Sequence, residues 1–261
     1  MSTFNFDNNQ NYFGFIDNKT TPLVFVHGVG LDHKMWKPQI NFFKDYSTIR
    51  YDLLGHGKTI LEKDSVSLND FSNQLLSIIN FLKIDKINLV GFSLGSLISI
   101  DFSSKYQNRV NSLVLIGTTY KRTEDQRKLV IDRYNQAKLN KPISKQALKR
   151  WFSDDYLENH PETYNEFMTI LNKEPDDHKN FLKSYELFAN HIDESENIRK
   201  INCKTLIMTG SNDPGSTPNM SRELSGDLPN AKFIEIPDGK HLCSIECADV
   251  VNNNLKNYIE I

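Results

Sequence analysis

The chain has 261 residues, and its 31 Lys and Arg against 33 Asp and Glu leave a net charge of −2. So balanced a field favours neither nucleic acid nor an anionic membrane, and points to a neutral or small polar partner. Three cysteines, Cys203, Cys243 and Cys247, all late in the chain, are too few for a disulfide framework.

The opening MSTFNFDNNQ lacks the basic start and apolar core of a secretion signal, and no later run is long enough to cross a bilayer, so a cytoplasmic location is expected. Residues 4–6 and 12–15 read as an antiparallel pair at a sheet edge. LVFVHG near 23 and STIRYD near 47 are short apolar runs bounded by turn residues, the pattern of buried parallel strands. SLNDFSNQLLSIINFL then places Leu68, Phe71, Leu75, Ile78, Ile79 and Leu82 on one helical face, with Ser67 and Asp70 as a capping box. INLVGF near 87 and SLVLIG near 112 are two more strands. After SLVLIGTT the alternation stops, and about eighty residues pass before KTLIMTG, far more than a connection needs. Helices are expected over 120–137, 144–152, 161–171 and 178–191, punctuated by Pro142, Pro161 and Pro175. The spacing therefore predicts a helical cap over 120–199, inserted into a core formed by 1–119 and 200–261. KTLIMTG near 204 and AKFIEI near 231 complete about eight strands of a mostly parallel sheet flanked by helices. In VVNNNLKNYI, Val251, Leu255 and Tyr258 keep helical spacing to the end.

The chemistry begins at LVGFSLGSL. Ser93 sits where the strand INLVGF turns into a helix, and so sharp a turn leaves room for nothing but glycine two positions away, at Gly91 and Gly95. A serine hydroxyl needs a base, and the base needs a group to hold its tautomer. Asp213, in the loop after KTLIMTG, and His241, in the loop after AKFIEI, lie at the same carboxyl edge if the strands are parallel. The loop after SLVLIG offers Thr118, Thr119 and Tyr120, so Asp213 has no nearby acidic competitor, although Asp-Pro also begins plain turns. His27 and His56, beside glycines, suit turn roles; His33, His160, His178 and His191 suit solvated positions. The glycine-rich turn after LVFVHG exposes backbone amides. Those of Val29 and Leu94 are the candidates for an oxyanion hole, whereas the spacing lacks both the dinucleotide and the P-loop patterns.

HGVG, YDLLGHGKT, GFSLG, TGSNDP and GKHL, in that order, resemble the α/β-hydrolase superfamily across essentially the whole core. RWFSDDYLENHPETYNEFMTIL, YELFANHID, HGVGLDHKMWKPQ and GKHLCSIE are similar to the 3-oxoadipate enol-lactonase branch. The resemblance implies a small ester or lactone substrate, carboxylate-bearing, and places Trp151 at the pocket mouth. Arg150 beside it could meet a substrate carboxylate through paired hydrogen bonds or stand in solvent. Leu53, where relatives often carry Arg, and GSTP after the acid depart from the branch and leave the substrate open. Acyl transfer of this kind requires no metal and no organic cofactor. Amide hydrolysis, C–C bond hydrolysis of a diketone and perhydrolysis remain open with the same three residues. So does a non-catalytic small-ligand receptor on the same fold. A metal site at His241, Cys243 and Cys247 lacks a fourth ligand.

Overall fold

The computed structural model describes residues 3–139, 144–193 and 195–259. Pro142, expected to punctuate the helices, lies outside the described residues. The first half of the chain gives β1 (Thr3–Phe6), β2 (Tyr12–Ile16), β3 (Leu23–Val26), α1 (Lys37–Phe42), β4 (Thr48–Tyr51), α2 (Leu68–Phe81), β5 (Ile87–Phe92), α3 (Leu94–Lys105) and β6 (Val110–Ile116). Helices α4 (Glu124–Lys138), α5 (Ser144–Trp151), α6 (Asp154–Asn159), α7 (Pro161–Leu171), α8 (Pro175–Asn190) and α9 (Ser195–Arg199) follow. The chain ends with β7 (Lys204–Gly210), α10 (Pro218–Asp227), β8 (Ala231–Ile236), α11 (Cys243–Glu246) and α12 (Ala248–Tyr258).

The eight strands form one sheet in the order β1-β2-β4-β3-β5-β6-β7-β8. β1 pairs antiparallel with β2 and β2 with β4; every later pairing is parallel. Register brings the strand ends level: Val26 stands beside Gly91, Gly91 beside Leu115, Ile116 beside Met208 and Gly210 beside Ile236. The loops after β3, β5, β7 and β8 thus open on one carboxyl edge, where parallel α/β sheets gather their chemistry.

Alternation along each strand divides the core. Val24, Val26 and Leu89 point to one face and pack with Phe71, Leu75, Ile78 and Phe102 of α2 and α3. Leu23, Phe25 and Val90 point to the other, against Trp36, Phe43 and Leu255. The α2 capping box forms as its sequence predicts: Ser67 Oγ accepts from the Asp70 amide, and Asp70 accepts from the Ser67 amide in return.

Between β6 and β7 the six helices α4 to α9 differ in detail from the expected four. α4 begins at Glu124, because Thr123 and Gln126 cap it reciprocally. Tyr120, expected at its start, instead donates its hydroxyl to Asp227 of α10 over 2.6 Å. α8 begins three residues earlier than expected, with Pro175 in the first turn where a missing N–H costs nothing. The two ends of the insertion are tied to each other. Buried Arg122 donates to the Phe188 carbonyl at 2.9 Å and to Thr119 Oγ1 at 3.0 Å, while the Lys121 amide donates to Asp193 at 2.8 Å.

Candidate active site

Ser93 joins β5 to α3 with φ 53° and ψ −115°, a region of backbone space that side chains rarely occupy. The turn is held by the Ser93 amide donating to the Ile116 carbonyl at 2.9 Å and by Ser96 Oγ donating to the Gly91 carbonyl at 2.8 Å. A Cβ on Gly91 would stand 2.4 Å from the Gly95 carbonyl oxygen, and one on Gly95 would stand 2.2 Å from the Val26 carbonyl oxygen. Glycine at both positions is therefore what lets strand and helix approach, as the sequence pattern implies. Leu94 begins α3, so its amide is one of the first-turn donors that no helical carbonyl reaches.

Asp213 and His241 arrive from the loops after β7 and β8. These loops touch at backbone level: the Asn212 amide donates to the Gly239 carbonyl at 2.9 Å, and a Cβ on Gly210 would meet that same oxygen at 2.2 Å. His241 Nδ1 lies 2.6 Å from Asp213 Oδ2, and His241 Nε2 lies 3.2 Å from Ser93 Oγ. An ionised carboxylate can accept but not donate, so Nδ1 carries the proton and Nε2 is left to accept from the serine hydroxyl. The other Asp213 oxygen accepts from the amides of Gly215 and Ser216, each at 2.9 Å. Those two donors fix the carboxylate plane, a use for the GST stretch that sequence inspection does not reveal. Phe92 packs on the imidazole at 4.9 Å between ring centroids.

The glycine-rich turn after β3 is braced by two histidines. His27 Nε2 accepts from the Leu53 amide at 2.9 Å, and its Nδ1–H donates to the Gly28 carbonyl at 2.8 Å. His56 Nε2 accepts from the Gly30 amide at 3.1 Å while Nδ1–H donates to the Leu54 carbonyl at 3.1 Å. Each ring is thus neutral, with burial pushing both imidazoles below their ordinary pKa. The turn roles expected of His27 and His56 are what the geometry displays, and Val29 is presented between them. Leu53, buried completely, supplies an amide here rather than a side-chain charge.

A cleft with roughly 810 Å³ of space between atoms, part of it open to solvent, lies against Ser93, Asp213 and His241. Val29 lines its floor, and its roof comes from the helical insertion. Trp151 and Arg150 both line it, Trp151 packing edge-on against Phe167 at 6.4 Å. Arg150 is half-buried rather than solvated. Burial first, and the charge of Arg133 second, pull its guanidinium below the usual arginine pKa. Arg133 and Tyr185 line the same space and have no sequence signature, since each falls on a helix whose pattern reads as ordinary packing or solvated charge. The roof is stitched to the histidine loop. The Leu242 amide donates to the Trp151 carbonyl at 2.9 Å, and Glu246 accepts from the amides of Ser153 at 2.8 Å and Lys240 at 2.9 Å.

His33 departs from expectation. It is buried, with Nδ1 2.6 Å from Asp52 Oδ1, because β1 and β2 fold Phe4 and Tyr12 over its ring. Among the described residues, Asp32, His33 and Asp52 are the one group whose ligand atoms fall within 4.8 Å of one another. Asp52 already accepts from the His33 and Lys58 amides at 2.9 Å each, which makes it a turn anchor. His241, Cys243 and Cys247 do not converge as metal ligands; Cys243 is buried beneath the loop, and burial pushes the Cys247 thiol up to about 11. No described helix is long and apolar enough to cross a membrane.

Comparison with known proteins bears on the family and the fold. The chain is 28% identical over 261 residues to (E)-2-((N-methylformamido)methylene)succinate hydrolase of Acinetobacter baylyi, covering 99% of this chain and 97% of the relative. It is 22% identical over 244 residues to 3-oxoadipate enol-lactonase 2 of the same organism, covering 93% and 90%. The solved enol-lactonase of Burkholderia xenovorans superposes with a TM-score of 0.87 at 22% identity, over 98% of this chain and 99% of that one, which speaks to the fold. The sequence profile described as alpha/beta hydrolase fold matches residues 21–247. The chain belongs to the alpha/beta hydrolase fold family.

Proposed function

We propose that the protein is a serine hydrolase acting on a small, carboxylate-bearing ester or lactone. The observation that carries this reading is the relay Asp213–His241–Ser93, at 2.6 and 3.2 Å, facing a cavity. In the reaction, Ser93 Oγ attacks the acyl carbon while its proton passes to His241 Nε2. Asp213 holds the imidazolium that results. The amides of Val29 and Leu94 receive the oxyanion, a contribution of about 3 kcal/mol for each good donor. His241 returns the proton to the departing oxygen, leaving the acyl group on Ser93. Water, deprotonated by His241, then attacks that acyl carbon, the acid departs and Ser93 regains its proton.

The helices between β6 and β7 serve in this reading as a cap over 120–199, on a core of 1–119 and 200–261. Trp151 at the mouth and Arg150 in the wall position the substrate, Arg150 by pairing with its carboxylate. Support for an anionic substrate comes from the succinate in the name of the relative at 28% identity. The same name contains a formamido group, which favours a second reading in which the bond cut is an amide. Free thiols at all three cysteines suit the cytoplasm, where we place the protein.

Turnover of p-nitrophenyl acetate, a neutral ester, tests the nucleophile. Ser93→Ala is expected to lower kcat by at least about 10⁴-fold, and a fluorophosphonate is expected to label Ser93. Undiminished turnover in the variant would end the hydrolase reading. Amide and ester analogues of one acid, compared by product analysis, distinguish the two bonds.

A further inference from the structure

We propose that Arg133 of α4 and Arg150 of α5 form a two-guanidinium subsite, and that the substrate it selects carries two carboxylates. The inference rests on the hydrolytic reading of the Ser93 cavity and extends it by a residue and a charge. Both arginines are half-buried and line the space that Ser93 and His241 open onto. Among the described residues, no carboxylate lies within ion-pairing distance of either; Arg150 donates to the Gln146 carbonyl of its own helix at 3.0 Å. The wall around them is apolar, with Val130, Trp151, Phe181 and Phe188 as neighbours in the lining.

Two like charges set in so apolar a wall repel each other, and the wall itself offers them little solvation. No described carboxylate pairs with them, so a ligand that brings the compensating charge is the one this wall favours. A single carboxylate occupies one guanidinium fork and leaves the other uncompensated. Because the two forks stand on different helices, a dianion with separated carboxylates satisfies both and ties α4 to α5 at the moment of binding. Tyr185, in the same lining, offers a hydroxyl beside them.

The test is calorimetric binding to the full chain carrying Ser93→Ala, so that no turnover is involved. Succinate and glutarate are compared with butyrate and with inorganic phosphate at one low ionic strength. The dicarboxylates are expected to bind at least about tenfold more tightly than butyrate. Adding Arg133→Gln, or Arg150→Gln, is expected to erase that preference. Arg133→Lys, which keeps the charge without the fork, is expected to retain part of it. Equal binding of mono- and dicarboxylates overturns the proposal, as does tighter binding of phosphate or a preference untouched by Arg133→Gln. If the glutamine variant does not fold, the lysine variant decides: dicarboxylate affinity equal to that of the parent overturns the proposal. Loss of ester turnover in Ser93→Ala is a separate result, so failure of the hydrolase reading and failure of the subsite are told apart.

Discussion

Ser93 shows what the site demands of single residues. Its positive φ is maintained by surrounding packing, and Gly95 is the position where that packing has no slack, since an added Cβ would lie 2.2 Å from a backbone oxygen of β3. Backbone cannot swing aside as a side chain can. Gly95→Ala is therefore expected to cost about 2 kcal/mol or more, with loss of fluorophosphonate labelling. Gly226, exposed in α10 with nothing within 4 Å of its would-be Cβ, is the matched control. There the same change reduces the freedom of the unfolded chain and adds about 0.5 kcal/mol. Urea denaturation of the two variants checks both signs. Asp213 makes the complementary case by charge. Asp213→Asn puts an amide where one oxygen meets two backbone donors and the other meets the imidazole, so the wrong tautomer of His241 is favoured. A fall in kcat of about 10⁴-fold with nearly unchanged stability is the expected result.

At the scale of elements, the roof of the cavity depends on α11. Glu246 lends one carboxylate oxygen to the Ser153 amide, just past α5, and the other to the Lys240 amide, next to His241. Glu246→Gln offers one acceptor to two donors and turns its own NH₂ toward the second. A loss of about 1 to 3 kcal/mol is expected, together with a lower kcat on p-nitrophenyl acetate, because α5 and the His241 loop are no longer held in register. Equal stability and kcat would show that the junction is held elsewhere. This contact also marks how far the sequence could be read. β3, β5, β6 and β7 are legible because each is a short, largely buried apolar run, and β8 by its apolar residues between turns although only Ile236 of it is buried. Ser93, Asp213 and His241 are legible because each follows the end of a strand. Glu246 carries no such mark, since its partners are amides supplied by loops far away in the chain. Arg133 lies in EDQRKLVIDRYNQAK, a stretch whose charge reads equally well as a solvated face. α6, at six residues, is too short for periodicity to declare, and α4 starts later than its pattern predicts because a capping pair outweighs the helical preference of the residues before it. His33 is buried rather than solvated because strands near the start of the chain fold aromatic rings over it, contacts its own neighbours in sequence do not announce.

The whole molecule is expected to respond to pH through the two buried histidines that brace the turn after β3. His27 and His56 stand 5.2 Å apart, centroid to centroid, and link the loop after β3 to the loop after β4. Burial is the largest cause that lowers both pKa values; protonation of neighbouring His27, and the Lys173 charge, would depress His56 further, and Asp52 partly opposes the shift at each. The folded values lie below the unfolded value of about 6.5, so between them the unfolded chain binds more protons. Their contribution is fully present above pH 6.5 and is lost as pH falls through that window, at up to about 1.4 kcal/mol per pH unit for each ring. The depressed carboxylates, Asp17, Asp52, Asp70 and Asp227 below their ordinary 3.8 and Glu162 below its ordinary 4.5, act in a separate window and leave the stretch from pH 6.5 to 5 to the histidines. Urea midpoints are therefore expected to fall steadily across that stretch in the parent chain. His56→Gln, which keeps an acceptor for the Gly30 amide but has no proton to take up, is expected to begin less stable and to lose about half as much. An unchanged slope would place the acid sensitivity outside this pair. A halved slope would mean that the turn presenting Val29 is the first part of the site to fail in acid, because protonating either ring removes the acceptor that holds a backbone amide in place.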